Sequence, residues 1–267
     1  MNINLKYLTE EVCRIAKDAG SFIREERKTF KRNSAMKKHA HDYVSYVDKE
    51  SEKRIVTCLR ELLPEAGFIA EEGSGSLTNE SYCWLVDPLD GTTNYIHNFA
   101  PFCVSIALRK DKELLLGVVY EICRDECFYT YQGASSYLNG SPIHVSEIDN
   151  LDESFIAIGY PYDSDNYKEI AAHIVKKCYG NVTGIRTVGA AAAELCYVAA
   201  GRFEGRVEGF IGPWDIAAGV LILQNAGGRT TDFSGGDNYT SGKEVLATNG
   251  RIHSAFIEIF NELKQGN

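Results

Sequence analysis

An apolar run that ends on two acids constrains this chain more than any other feature. Trp84-Leu85-Val86 leads into Asp87-Pro88-Leu89-Asp90-Gly91-Thr92-Thr93-Asn94. The apolar residues read as a buried strand. Pro88 has no N–H to give to a ladder and fixes its own φ. Gly91 allows a tight turn, and Thr92, Thr93 and Asn94 can cap a helix or bond a ligand. The segment therefore delivers two carboxylates to the carboxyl end of a strand. A turn follows whose N–H groups suit an anion such as phosphate.

Two carboxylates three residues apart, with proline between them, suit a hard cation. Mg²⁺ takes oxygen ligands at about 2.0–2.1 Å and keeps positions for water and substrate phosphate. The Leu89 carbonyl lies between the acids and is a candidate further ligand. Turns rich in Asp, Gly and Thr occur at many hairpins as well, so the D-P-x-D-G spacing by itself leaves a turn and a metal site both open.

Other acids stand at element ends. Asp48 precedes the helical stripe Ile55, Leu59, Leu62 and Leu63, where a carboxylate caps and meets the dipole. Gly67 to Ala70 reads as a short strand ending at Glu71-Glu72; two adjacent acids on extended backbone face opposite ways, so one of them leaves any site. Asp215 falls in the first turn of a helix from Trp214 to Asn225 that Pro213 opens and Gly227-Gly228 closes. Trp214 reads as a buried anchor beside it.

The rest alternates plainly. Asn4 to Phe30 carries apolar residues at three- and four-residue steps. Lys28, Lys31, Arg32, Lys37, Lys38, His39 and His41 form a basic stretch, either a solvated loop or a mobile loop that approaches a phosphate. Residues 73–81 read as a loop. Runs at 102–108, 114–120 and 127–131 predict an antiparallel meander, and Asn139-Gly140 predicts a hairpin. Strands are expected at 155–158, 182–188 and 203–210. Helices are expected at 166–179, from Gly189 to Leu195 and, after two further short strands, at 252–263.

Composition bounds the function. The 28 basic and 37 acidic side chains give a net charge of −9, which argues against non-specific nucleic-acid binding and repels an anionic substrate unless bound cations invert the local sign. No apolar run reaches the roughly 20 residues of a membrane span, and the first residues carry no signal-peptide core. A cytoplasmic location without membrane association is expected. The 8 cysteines include no C-x-x-C and read as reduced, mostly buried thiols.

Asp87 to Asn94 resembles the metal-binding signature of the inositol monophosphatase family, a group of Mg²⁺-dependent, lithium-sensitive-type phosphomonoesterases. Trp214-Asp215-Ile216-Ala217-Ala218-Gly219, followed by Ala226-Gly227-Gly228, is similar to its second motif, and Ala70-Glu71-Glu72-Gly73 to a third. The resemblance implies an α/β fold of α+β type, a layered α-β-α-β-α sandwich. Residues 1–145 would form an N-terminal half with an antiparallel sheet and most metal ligands. Residues 146–267 would form a C-terminal half that supplies Asp215 and substrate contacts, the two making one compact unit.

The resemblance also implies roles. Two or three Mg²⁺ ions would be held by Glu71, Asp87, the Leu89 carbonyl, Asp90 and Asp215. Asp48, Thr92 and Glu71 would be catalytic, with Thr92 and Asp48 activating a water so that no covalent intermediate forms. Gly91 and Thr92 would bind phosphate through their N–H groups. Asp90, Gly189, Ala190 and Glu208 would meet the substrate, and Lys37 would approach it from the basic loop. The family often has Ser or Thr where this chain has Ala190, so a hydroxyl is missing there. The implied activity is hydrolysis of a small phosphorylated polyol or sugar, foremost inositol monophosphate. Fructose 1,6-bisphosphate or a broader sugar or nucleotide range is the alternative, and an idle metal-binding partner protein the reading from another class. Family members commonly form homodimers.

Overall fold

The expected amphipathic helix forms over Leu5–Arg27 (α1), with Asn4 accepting the Tyr7 N–H at 3.2 Å as its cap. The computed structural model describes residues 3–39, 42–74, 81–160, 164–239 and 243–265. After a 3₁₀ turn at Arg32–Ser34 the basic stretch is not simply a loop. Met36–His39 (β1) and Asp42–Val44 (β2) pair antiparallel. Lys37 lies in β1 and its side chain is outside the described residues, as are His41 and most of the predicted loop, residues 75–80. Tyr46–Leu62 is α2.

Gly67–Ala70 (β3), Tyr82–Asp90 (β4), Cys103–Lys110 (β5), Glu113–Glu121 (β6), Glu126–Tyr131 (β7), Ser136–Leu138 (β8) and Ser141–Ile143 (β9) follow one another across a seven-stranded sheet. Only β3 and β4 run parallel; the other neighbours are antiparallel. Asn139 and Gly140, at φ 48° and 86°, make the predicted hairpin turn. β4 runs on through Pro88 to Asp90. It can because β3 pairs with it only as far as Ala70 opposite Val86, and its register against β5 shifts between Asp87 and Asp90, so no ladder partner needs a Pro88 N–H.

Thr92–His97 is α3. Phe155–Ile158 (β10), Gly184–Arg186 (β11), Gly205–Gly209 (β12), Arg229–Thr231 (β13) and Glu244–Thr248 (β14) form a mixed sheet in the order β11-β10-β12-β14-β13. β11 is shorter than the predicted 182–188 because it sits at the sheet edge, paired to β10 alone. The helices here are Ser164–Cys178 (α4), Ala191–Ala199 (α5), Pro213–Asn225 (α6) and His253–Gln265 (α7).

Three apolar clusters glue five layers. α1 and α2 cover one face of the seven-stranded sheet. α5 and α6 fill the space between the two sheets, and α4 and α7 close the far face. This is the layered α-β-α-β-α sandwich of an α+β fold. Small residues set the spacing of the middle layer. A Cβ on Gly117 of β6 would come 2.7 Å from the Ala218 carbonyl oxygen of α6, and one on Gly219 would come 2.7 Å from the Leu195 Cβ of α5. All eight cysteines are free thiols, and Cys83, Cys103, Cys127, Cys178 and Cys196 are buried. Among the described residues no helix is long and apolar enough to cross a membrane.

Candidate active site

The bulge in β4 turns the acid motif into a site. The Asp87 carboxylate accepts the Leu89 N–H at 2.9 Å, which holds the chain across Pro88, and the Ser51 hydroxyl on α2 holds the Pro88 carbonyl at 3.1 Å. The Leu89 carbonyl leaves the ladder and accepts the Thr92 hydroxyl at 3.0 Å. Gly91, at φ 88°, caps α3. That left-handed conformation and the close approach of the Pro101 and Gly189 carbonyls suit glycine.

Thr92 also reaches the Asp48 Oδ1 at 2.8 Å. A hydroxyl has one proton, and the charged acceptor makes the stronger bond. The other Asp48 oxygen accepts the Ser45 N–H at 2.9 Å and hydroxyl at 2.6 Å in a capping box that starts α2. Asp48 thus caps α2 and meets Thr92 at the same time. Burial pushes its carboxyl pKa up, against the pull of the Ser45 and Thr92 hydrogen bonds.

Asp87 and Asp90 are 2% and 7% exposed. Burial first, then the charges of Glu71, Asp90 and Asp215, push the Asp87 carboxyl well up. Asp215 is raised likewise, by burial and then by Glu71 and Asp90, and it shares a hydrogen bond with Asp87. Asp87 and Asp215 thus form a close pair on which Glu71 and Asp90 act through their charge. Among the described residues no three such groups are gathered at one point as metal ligands. The donor set is still oxygen only and mutually repelling, with Asp87 and Asp90 buried and Glu71 and Asp215 partly so, and it fits a hard divalent cation, whose charge would relieve that repulsion. Asp215 accepts the Gly212 N–H at 2.7 Å, so it also caps its own helix. Trp214 is half-buried, not the expected buried anchor; its backbone carbonyl, held by the Ser105 hydroxyl at 3.2 Å, ties α6 to β5.

Asp90 explains how the chain manages without a hydroxyl at Ala190. α5 has no capping side chain at Ala190. The two Asp90 oxygens accept the Ala191 and Ala192 N–H groups instead, at 3.0 and 2.7 Å. Asn94 donates its side-chain amide to the Pro101 and Val188 carbonyls, both at 2.8 Å. Gly189, at φ 80°, and Ala190 thereby lie against the motif turn.

Several functional groups escaped the sequence reading. Glu52 of α2, fully buried, accepts the Glu72 and Ser74 N–H groups, both at 2.7 Å, and so fixes the turn that carries Glu71. Ser51 and Glu52 share the helical stripe of Asp48, Ile55 and Leu59, and polar residues in the phase of a buried face are the signal that could have found these two. Glu194 accepts the Val188 and Gly189 N–H groups at 3.0 and 3.1 Å, and the fully buried Arg206 donates to its other oxygen at 2.8 Å. Arg206 also pairs with Glu208. Burial pushes Glu208 up to about 7, against Arg206 and with help from Glu194 and Asp90.

Comparison with known proteins follows the same lines. The model of the inositol monophosphatase family matches residues 4–265. "Nus factor SuhB" of Escherichia coli is 38% identical over 246 residues, 91% of this chain and 92% of that protein. "Fructose-1,6-bisphosphatase/inositol-1-monophosphatase" of Aquifex aeolicus is 36% identical over 255 residues, 95% of each chain. The solved inositol monophosphatase of Anabaena superposes with a TM-score of 0.86 at 32% identity, covering 97% of both chains.

Proposed function

Since this chain belongs to the inositol monophosphatase family, we propose that it hydrolyses small phosphate monoesters with Mg²⁺, foremost inositol monophosphate. The observation that carries the reading is the Thr92–Asp48 pair at 2.8 Å, set at the end of a strand whose Asp87 lies buried among Glu71, Asp90 and Asp215.

Phosphate-monoester hydrolysis is among the slowest reactions in water. It needs charge neutralisation on the phosphoryl oxygens and a positioned nucleophile. Glu71, Asp87, the Leu89 carbonyl, Asp90 and Asp215 would hold the two or three Mg²⁺ ions. These supply the neutralising charge and lower the pKa of water. Asp48 draws the Thr92 proton toward itself, which turns a Thr92 lone pair outward to accept a hydrogen bond from the attacking water. The N–H groups of Gly91 and Thr92, at a turn with no carbonyl acceptor inside the helix, hold the phosphate. Asp90, Gly189, Ala190 and Glu208 would meet the alcohol side, and Lys37 of β1 is the candidate loop contact. No side chain is required as a covalent nucleophile. A homodimer, as is common in the family, is part of the reading.

The test is phosphate release from inositol 1-phosphate, fructose 1,6-bisphosphate, adenosine 3′,5′-bisphosphate and NADP, with Mg²⁺ and with EDTA. Mg²⁺-dependent release foremost from inositol 1-phosphate is expected. Preference for fructose 1,6-bisphosphate would favour the alternative that the Aquifex relative's name supports. The Escherichia coli relative is named a Nus factor and not a phosphatase, which favours the second reading, an idle metal-binding partner protein. Metal binding without release from any substrate would select it.

A further inference from the structure

Arg206 is the largest polar side chain in the fully buried interior, at 0% exposure, and the site reading above gives it no role. Its Nε bonds Glu194, which is 1% exposed, and its Nη2 pairs with Glu208. Nη1 is buried with no hydrogen-bond partner. A buried guanidinium is costly unless matched by charge and geometry. Here it lies among Glu194, Glu208 and Asp90, whose charges hold the guanidinium protonated against its burial.

The connections run toward the substrate side. Glu194 holds the Val188 and Gly189 N–H groups, and Asn94 holds the Val188 carbonyl from the motif side. Arg206 joins that clamped segment, which lies on one strand-to-helix connection, to Glu208 on β12. Glu208 itself lies over Gly159, where a Cβ would collide with its carboxyl group. One Glu208 oxygen is thus committed to Arg206, in space that the missing Cβ of Gly159 leaves open. Through Arg206 and Glu194 that carboxylate is tied to the N–H groups of Val188 and Gly189.

We infer that Arg206 is a positioning residue for substrate selection. It aims Glu208 as a hydrogen-bond acceptor for an alcohol hydroxyl and, through Glu194, ties it to the segment at Val188 and Gly189. The inference rests on the phosphatase reading and its Glu208 contact, and adds to them the buried residue that orients that contact. Being buried, Arg206 touches no substrate; it acts through Glu208 and Glu194.

The test compares inositol 1-phosphate with p-nitrophenyl phosphate, which has no aliphatic hydroxyl, in the full chain with Mg²⁺. Arg206→Lys keeps the charge and loses the two-armed geometry. It should raise the KM for inositol 1-phosphate relative to that for p-nitrophenyl phosphate by about tenfold, the value of one misplaced hydrogen bond to a charged group. Gly159→Ala, whose Cβ would displace the Glu208 oxygen that pairs with Arg206, should shift the same ratio in the same direction. In a Glu208→Gln background Arg206→Lys should add no further change to the ratio. Circular dichroism checks that each variant is folded. Equal KM changes on both substrates, or a full additional effect in the Glu208→Gln background, would overturn the role of Arg206 alone. If Arg206→Lys does not fold, Gly159→Ala leaving the ratio unmoved overturns it. Wild-type chain that releases no phosphate from either substrate overturns the phosphatase reading, and this role with it.

Discussion

Asp48 gives one carboxylate oxygen to Ser45 and the other to Thr92, and Asp215 gives one to the Gly212 N–H. The cap orients each carboxylate, so the competing readings at these positions describe one geometry. Asp87 has a different balance, because its surroundings after burial are other carboxylates. Neutralising it should stabilise the metal-free protein and remove the response to metal. With Mg²⁺ at a hundredfold excess over its Kd, ligand linkage is worth about 2.7 kcal/mol, which for a chain of this size raises Tm by roughly 5–10 °C. Differential scanning fluorimetry with EDTA and with Mg²⁺ should show that rise for wild type. Asp87→Asn should melt higher than wild type in EDTA, gain little from Mg²⁺ and lose turnover. Normal kcat at saturating Mg²⁺ in this variant would remove Asp87 from the metal site.

α2 shows how far an element can be read from its own letters. Its helical period and the acid near its start, Asp48, were legible, because dipole and periodicity are local; the cap itself is Ser45, which the sequence reading passed over. Glu52 was not legible, because its meaning depends on backbone N–H groups of Glu72 and Ser74 some 20 residues away. The same holds for Arg206 and Glu194, which are joined by tertiary contact, and for the β1–β2 pairing inside a run of basic residues. Pro88 misleads in the opposite sense, since proline ends a ladder only where a neighbour needs its N–H. Glu52→Ala leaves α2 a good helix but strands two donors, a cost of about 1–3 kcal/mol each if buried. Glu71 should then be held less firmly, and the Mg²⁺ concentration for half-maximal activity should rise about tenfold or more, with helix content unchanged by circular dichroism. An unchanged Mg²⁺ requirement would count against Glu52 as the support of Glu71.

At the junction of β13, β14 and α7, His253 places its ring nitrogens 2.9 Å from the Thr231 and Thr248 hydroxyls. Burial, helped by Arg229, lowers its pKa from 6.5 to about 4. The folded ring stays neutral while the unfolded chain takes up a proton, so this contribution is complete above pH 6.5 and is lost as pH falls toward 4. Thermal melting from pH 7.5 to 4.5 should show a steeper acid loss for wild type than for His253→Gln. Parallel curves would mean that His253 is not the group responsible.

The whole molecule depends on its middle layer. α5 and α6 belong to one apolar cluster with residues of both sheets. We propose that residues 1–145 and 146–267 are two halves of a single cooperative unit, since neither sheet can keep that layer covered alone. α6 also carries Asp215 to Asp87, so packing and chemistry share a joint. Gly117 is the tightest point of that joint, because a Cβ there would stand 2.7 Å from the Ala218 carbonyl oxygen and 2.9 Å from its Cα. Backbone cannot rotate aside as a side chain can, so α6 must shift away from the sheet. Gly117→Ala should cost about 1–3 kcal/mol, the usual penalty of overpacking. It should also weaken Mg²⁺ binding, although it contacts no ligand, because Asp215 moves with α6 while Asp87 and Asp90 stay with β4. Chemical denaturation followed by far-UV dichroism and by tryptophan fluorescence should give coincident single transitions for wild type, and a single earlier one for Gly117→Ala. Two separated transitions would divide the chain into independent halves. A destabilised variant with unaltered Mg²⁺ affinity would show that the joint bears load without setting the metal geometry.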